Sequence, residues 1–271
     1  MKCQYKHPSK KDYVYLEEAL SDSKEHFCIF HERRKDKDVE EFHKKITTKI
    51  EREDFDFTGY FFLDESFKDV KFTKDAYFGG ATFEDVASFN NSEFTRKIDF
   101  YRARFEGDAD FSGATFTEKV GFRFTTFVEE ANFKDVKFEE KANFPINKFF
   151  GIIDFINVRF EKEVSFEQAF FSDNTRIRSH PECNLSKASF YGSNRERVDF
   201  SGSKWNDDNN REIIIFEESK GAIHFQALEE IYRRLKQSHQ RFGNHDRAGK
   251  FYYSEMESRR KHQREQRQWM N

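Results

Sequence analysis

The chain has 271 residues, of which 36% are charged, yet its formal net charge is only −3. It contains three cysteines, too few for the disulfide framework of a small secreted domain, and 36 phenylalanines. The first twelve residues lack the apolar core of a signal peptide, and the longest apolar run, 213–216, is far too short to span a bilayer. We therefore expect a cytoplasmic protein without a membrane span.

Residues 1–54 are predicted to form a head that carries a candidate zinc site. Cys3 and His7 are followed, after a gap, by Cys28 and His31, and all four residue types are good zinc ligands. Four protein ligands close a zinc site, so such a site would be structural and not catalytic. The alternative is that this region holds two free thiols and two surface imidazoles.

The head ends in a predicted helix that Asp38 can cap and that runs to about Arg52. Its apolar residues lie three or four positions apart on one stripe: Val39, Phe42, Ile46 and Ile50. This spacing predicts an amphipathic helix that covers the start of the following segment. A partner-binding helix is the alternative, but it would leave that segment uncovered.

Residues 55–206 contain phenylalanine at a fixed period. The first series, in steps of eleven, is Phe67, Phe78, Phe89, Phe100, Phe111, Phe122, Phe133, Phe144, Phe155 and Phe166. The second series, five residues behind, is Phe72, Phe83, Phe94, Phe105, Phe116, Phe127, Phe138, Phe149, Phe160 and Phe171. Alternating steps of five and six drift around a helical wheel, so they exclude an amphipathic helix and a coiled coil. A fixed period of this kind indicates a stacked solenoid.

The residues around each phenylalanine define the repeat unit. A small or β-branched residue lies two positions before most of them, as Ala109 lies before Phe111. Two side chains at a spacing of two lie on one face of an extended segment, and the polar residues between them favour turns. Each step is therefore predicted to be a short strand followed by a corner. Glycines such as Gly80, Gly107 and Gly113 fall at corners, where a positive φ is useful.

The motif from Ala109 to Phe116, Ala-Asp-Phe-Ser-Gly-Ala-Thr-Phe, resembles the pentapeptide-repeat family in its variant with an 11-residue double repeat. The resemblance implies a mainly β fold, a right-handed quadrilateral β-helix with an N-terminal capping helix and a C-terminal α-helical pair. The Cys-x-x-His segment that ends at His31 also resembles the zinc-binding heads of some members. Those heads would begin with two cysteines, so His7 departs from their pattern.

Residues 207–220 are predicted to be a linker, and residues 221–271 a helical hairpin with a basic tail. Gly243 indicates the end of the first helix, and Asp246 can cap the second. The hairpin is similar to a segment that joins larger family members to a membrane channel-like module. Its candidate interaction residues are Phe251, Tyr252, Met256, Arg259, Arg260 and Lys261.

No phosphate-binding loop, nucleophile elbow or dinucleotide fingerprint is present, and we expect no enzyme activity. The leading hypothesis is a non-enzymatic scaffold that binds another protein, whose identity the sequence does not give. One alternative is the cytoplasmic module of a membrane assembly. Another is a DNA mimic that modulates a type II topoisomerase, although lysines and arginines interrupt the acidic residues. We also expect that the chain can form a homo-oligomer. We do not expect it to bind nucleic acid.

Overall fold

A computed structural model describes residues 1–6, 18–33, 36–173, 175, 177–178, 183–195, 198–200, 202–206, 213–221 and 223–269. The helices in these ranges are α1 (Val39–Glu51), α2 (Phe216–Ser219), α3 (Phe225–Arg241) and α4 (His245–Trp269). The strands, each of two residues, are β1 (Phe61–Phe62), β2 (Glu65–Ser66), β3 (Lys71–Phe72), β4 (Ala76–Tyr77), β5 (Thr82–Phe83), β6 (Ala87–Ser88), β7 (Glu93–Phe94), β8 (Ile98–Asp99), β9 (Arg104–Phe105), β10 (Ala109–Asp110), β11 (Thr115–Phe116), β12 (Val120–Gly121), β13 (Thr126–Phe127), β14 (Ala131–Asn132), β15 (Lys137–Phe138), β16 (Ala142–Asn143), β17 (Lys148–Phe149), β18 (Ile153–Asp154), β19 (Arg159–Phe160), β20 (Val164–Ser165), β21 (Phe170–Phe171), β22 (Ile177–Arg178) and β23 (Ala188–Ser189).

Nearly every strand pairs in parallel with the strand four positions later in the chain, which builds a solenoid. The four sheets run in the orders β1-β5-β9-β13-β17-β21, β2-β6-β10-β14-β18-β22, β3-β7-β11-β15-β19 and β4-β8-β12-β16-β20-β23. In the regular part, Ala109 pairs with Ala131, 22 positions later. The predicted mainly β solenoid with an N-terminal helix and C-terminal helices is confirmed. Its right-handed quadrilateral geometry stays a prediction.

Hydrogen bonds between coils run in both directions along the rod. The amide of Phe111 donates to the carbonyl of Asn132 on the next coil at 2.8 Å. The amide of Thr115 donates to the carbonyl of Ser92 on the preceding coil at 2.9 Å. Every inner coil therefore needs a neighbour on both sides, and each end of the rod needs a substitute partner.

The phenylalanine rings fill the interior as columns in which rings of successive coils stack face to face. In one column Phe111 stacks on Phe89 at a centroid distance of 4.9 Å and on Phe133 at 5.1 Å. Alternate phenylalanines of the first series form two columns, and Phe100 and Phe122 belong to the second. The two columns meet edge to face: the ring centroids of Phe100 and Phe122 each lie 5.6 Å from that of Phe111. Offset and edge-to-face contacts of this kind are favourable beyond the area they bury.

The twenty phenylalanines of the predicted ladder are thus the core side chains of the solenoid. Nineteen of them are buried, and Phe160 is half-buried. A small residue often lies two positions before a ring and also points inward. Ala109 and Ala131 are such residues: they are buried and pair with each other on neighbouring coils. The rings therefore account for most of the interior. Most polar residues between them face outward, but Ser92, Thr125 and Asn147 are buried.

The corner two residues after each first-series phenylalanine has a left-handed backbone in every coil. These corner residues are Asp69, Gly80, Asn91, Arg102, Gly113, Phe124, Asp135, Ile146, Asn157 and Gln168. Glycine, asparagine and aspartate adopt this conformation easily, whereas a β-branched residue is strained there. Gly107 does not share this conformation; a Cβ at that glycine would lie 2.6 Å from the carbonyl carbon of Asp85. Its expected positive φ is therefore wrong, and close approach of two coils explains the glycine.

We expect Ile146→Asn to stabilise the protein by about 1 kcal/mol, because it relieves a β-branched residue at φ 58°. Ile156→Asn is the matched control, since Ile156 is also half-buried at a corner and does not have a positive φ. The measurement is the urea midpoint of each variant. If the urea midpoint of the Ile156 variant rises as much as that of the Ile146 variant, or more, the proposed backbone strain at Ile146 is contradicted.

Helix α1 lies over the first coil, as its apolar stripe predicts. The Asp38 carboxylate accepts a hydrogen bond from the amide of Glu41 at 2.9 Å, which caps the helix. Phe42 and Ile46 are buried, and the Phe42 ring meets Phe62 edge to face at 5.7 Å. Val39 is exposed at the helix start, so the covering contact comes from the middle of the stripe.

At the other end, helix α2 supplies a carboxylate in place of the next coil. The amide of Phe144 donates to the carbonyl of Ser165, and that of Phe166 donates to the carbonyl of Ser189, both at 2.7 Å. In the last coil the amide of Phe190 donates instead to Glu217 Oε1 at 2.8 Å. The Ser189 hydroxyl donates to the same oxygen at 3.2 Å. Glu217 therefore ends this ladder with an acceptor.

We expect Glu217→Ala to destabilise the protein by about 1–3 kcal/mol, because the buried Phe190 amide loses its acceptor. Glu217→Gln keeps an acceptor oxygen and should cost less. Burial raises the pKa of Glu217, so wild-type stability should fall as the pH rises above the ordinary glutamate value. Urea midpoints at several pH values test this, and an alanine variant as stable as the glutamine variant would contradict the proposed contact.

Candidate metal centre

Three of the four predicted zinc ligands come together in the buried part of the head. Cys3, Cys28 and His31 each present a ligand atom, and these atoms all lie within 4.8 Å of one another. The His31 Nδ1 atom is 3.1 Å from Cys28 Sγ and 3.4 Å from Cys3 Sγ. Ligands of a tetrahedral zinc ion with ordinary bond lengths lie about 3.6 Å apart, so the three atoms approach that spacing.

Local backbone structure explains this convergence. The amide of His31 donates to the carbonyl of Cys28 at 3.0 Å, which closes a turn and places both side chains on one side. Cys3 joins them from a separate segment, where the amide of Cys28 donates to Cys3 Sγ at 3.2 Å. A backbone amide that donates to a sulfur favours its thiolate form.

The tautomer of His31 suits metal binding. Its Nε2 lies 3.3 Å from the carbonyl oxygen of Thr58, which can only accept, so Nε2 carries the proton of the neutral ring. The Nδ1 lone pair is then directed toward the two sulfurs. Tyr5 stacks on the imidazole at 4.1 Å and holds its plane. A histidine that binds a metal through one nitrogen typically donates a hydrogen bond from the other, as His31 Nε2 does here to Thr58.

The pKa values of the two thiols are shifted in opposite directions. A hydrogen bond from Cys28 lowers the pKa of Cys3 to about 4, and the same contact raises the pKa of Cys28 well above its usual range. One thiolate is therefore already favoured, and a divalent cation would favour the second. Two sulfurs and one imidazole form a donor set that suits zinc.

His7, the fourth predicted ligand, lies outside the described residues. His31 is buried, so it is not the surface imidazole of the alternative interpretation. Cys183, the third cysteine, is buried far along the chain, and burial raises its pKa to about 12, which keeps it a neutral thiol.

The candidate centre is joined to the first coil by direct hydrogen bonds. The amide of Phe61 in β1 donates to the carbonyl of Phe30 at 2.7 Å, and the Phe30 ring stacks on Tyr60 at 4.4 Å. The buried Lys37 ammonium donates to the carbonyls of Ile29, at 3.2 Å, and Phe61. Sequence reasoning missed Tyr5, Thr58 and Lys37, because their roles depend on contacts distant in the chain.

The C-terminal candidate residues have different environments. Phe251 is buried and packs edge to face on Trp205 at 5.5 Å, so it belongs to the core that covers the last coil. Tyr252 is exposed, and Met256 is half-buried. Asn244 caps α4 by accepting from the amide of Arg247 at 3.2 Å. The expected cap at Asp246 is therefore wrong.

The predicted basic tail forms ion pairs within the chain. Arg259 pairs with Glu229 at 2.8 Å. Lys261 pairs with Glu218 at 2.9 Å. Arg260 lies against Glu257, one turn earlier in α4. The first two pairs attach the tail to α3 and α2, and all three partly neutralise its charge.

A second surface feature is an aromatic pair beside an acidic groove. Phe150 and Phe170 are 40% and 41% exposed, and their ring centroids are 5.8 Å apart. Phe150 also lines a groove with Val128 and Ile152. The acidic residues of this groove are Asp108, Glu129, Glu130 and Asp173. We call these residues together the aromatic–acidic groove.

No helix in the described ranges has both the length and the apolar character needed to cross a membrane. Residues 67–115 match a family model described as pentapeptide repeats (9 copies). No curated protein and no solved structure gave a significant match to the chain.

Proposed function

We propose that this chain, whose residues 67–115 match a model of pentapeptide repeats, is a non-enzymatic scaffold that binds another protein. The observation that carries the proposal is the aromatic–acidic groove on the outside of a rod whose interior is filled by stacked rings. Exposed aromatic residues beside a polar rim are typical of protein interfaces. A rod filled in this way presents its side chains at fixed spacings.

The groove favours a basic partner segment that carries an apolar residue. Phe150 and Phe170 offer an apolar contact, and the four carboxylates around Phe150 offer charge complementarity to lysine or arginine. Charge complementarity mainly sets partner choice and association rate, while aromatic contacts contribute most to affinity. The exposed rings and the carboxylates together favour a partner segment that is both basic and apolar.

Affinity capture from native lysate tests this proposal when variants are compared side by side. We expect the wild-type chain and Tyr77→Ser to recover the same basic partner, and Phe150→Ser/Phe170→Ser to lose it. Tyr77 is the control because it is exposed to 43%, much like the groove rings, and lies in another sheet. A partner retained by the double variant, or no reproducible partner, would contradict the proposal.

We also propose that the head binds one structural zinc ion through Cys3, Cys28 and His31, with His7 as the predicted fourth ligand. The support is the convergence of these three buried ligand atoms, with His31 Nδ1 directed toward both sulfurs. The ion would hold the head over the first coil. Two thiols kept reduced suit the cytoplasm, which we propose as the location.

The DNA-mimic hypothesis is less favoured, because several acidic residues along the rod are paired with cations. Glu93 pairs with Lys71 at 2.7 Å, and Glu163 pairs with Lys141 at 2.6 Å. Each of these pairs joins neighbouring coils. A surface on which the signs of charge alternate in this way lacks the continuous negative field of duplex DNA.

A further inference from the structure

Two histidines and a glutamate meet where α3 begins and α4 approaches its end. His224 precedes α3 as its N-cap residue, whereas His262 and Glu265 lie one turn apart in α4. We propose that these three side chains bind a divalent transition metal ion such as Zn²⁺ and so clamp the two helices together. This site is separate from the head and uses no thiolate.

The distances fit a single ion between the helices. The ligand atoms of His224, His262 and Glu265 all lie within 4.8 Å of one another. His224 Nε2 is 3.5 Å from Glu265 Oε2, and the two imidazole centroids are 5.1 Å apart with their planes nearly perpendicular. The side chains are exposed or half-buried, so they can rotate toward a shared ion.

His262 has a nitrogen suited to coordination. Its Nδ1 atom is shielded from solvent and has no hydrogen-bond partner among the described residues. Its other nitrogen lies 3.0 Å from the side-chain amide of Gln266. A buried imidazole nitrogen without a partner is unfavourable, and a metal ion would satisfy it.

His224 is held in place by its role at the helix start. Its Nδ1 accepts a long hydrogen bond of 3.4 Å from the amide of Gln226, so the neutral ring carries its proton on Nε2, toward Glu265. A metal ion at Nε2 takes the place of that proton, and the ring proton moves to Nδ1. Gln226 is exposed, so water can replace the weak cap contact.

The donor set defines the class of ion. Two imidazoles and one carboxylate suit Zn²⁺, Cu²⁺ or Ni²⁺, whereas Mg²⁺ and Ca²⁺ need mostly oxygen ligands. Two cations are adjacent to the ligands in sequence: Lys261 pairs with Glu218 at 2.9 Å, and Arg264 is exposed to solvent. That pairing offsets part of the repulsion that a second positive charge beside the site would cause.

Zinc binding by isothermal titration on the full-length chain tests the site. We expect His262→Ala and Glu265→Gln each to raise the zinc dissociation constant of this helical site by about tenfold or more, while the zinc affinity of the head is unchanged. His245→Ala is the matched control, because His245 is an exposed histidine at the other end of α4. That control should bind zinc like the wild-type chain, and the circular dichroism of all variants should show unchanged helix content.

Cobalt spectra separate this site from the head. Thiolate ligands give Co²⁺ a charge-transfer band, which imidazole and carboxylate ligands do not, so His262→Ala should lose a Co²⁺ equivalent without losing that band. Unchanged zinc binding in His262→Ala and Glu265→Gln would overturn the proposal. Loss of the band alone in Cys28→Ser concerns the head and leaves this site unaffected.

Discussion

Phe111→Ala is expected to destabilise the protein by about 3–5 kcal/mol, among the largest effects of any single substitution in the rod. Phe111 is fully buried and contacts six rings, of which two are stacked, three are edge to face and one is tilted. Alanine would leave a cavity between coils that the regular backbone cannot close. The measurement is the urea midpoint from far-ultraviolet circular dichroism.

Phe170→Ala is the matched control, because Phe170 is also in a strand but is exposed. Its cost should stay within about 0.5 kcal/mol. Phe111→Leu should fall between the two alanine variants, since it keeps most of the buried volume. The ring columns would not hold the rod together if Phe111→Ala cost no more than Phe170→Ala.

Loss of zinc is expected to release the head from the first coil. Structural zinc contributes about 10–16 kcal/mol to the folding of small zinc-binding peptides, so removing it should unfold the head while the inner coils remain. Cys28→Ser should therefore abolish zinc binding at the head and make residues around Phe30 accessible to protease. Metal analysis and limited proteolysis measure the two effects.

Cys183→Ser provides the control for this prediction. Cys183 is a buried thiol in the last part of the solenoid, and burial raises its pKa to about 12, so it stays protonated. This variant should retain the zinc of the head. The head would not be a zinc site if the purified wild-type protein lacked the metal, or if Cys28→Ser kept it.

The period of phenylalanine allowed the solenoid and its interior to be predicted, because burial fixes which face of each short strand points inward. The left-handed corners were missed wherever the corner residue is not glycine, as at Arg102, Phe124 and Ile146. Their conformation follows from hydrogen bonding to neighbouring coils, whatever residue stands there. Residue type alone indicated it only where glycine occupies the corner, as at Gly80 and Gly113.

The sites at the two ends could be predicted only in part. The spacing of Cys28 and His31 indicated metal ligands, because a tight turn brings such a pair together. The acceptor role of Glu217 depends on a contact with Phe190, 27 residues earlier, and no local pattern marks it. The meeting of His224 with His262 likewise depends on how α3 and α4 pack.

Residue-resolved hydrogen exchange of the native chain tests most directly whether both ends of the solenoid are covered. The amides of Phe61 and Phe190 are the deciding probes, because they donate at the two ends of the rod to Phe30 O and to Glu217 Oε1. We predict that both amides exchange as slowly as the inner amides of Phe100 and Phe111. Exchange of either end amide at the rate of an unprotected amide would contradict the account.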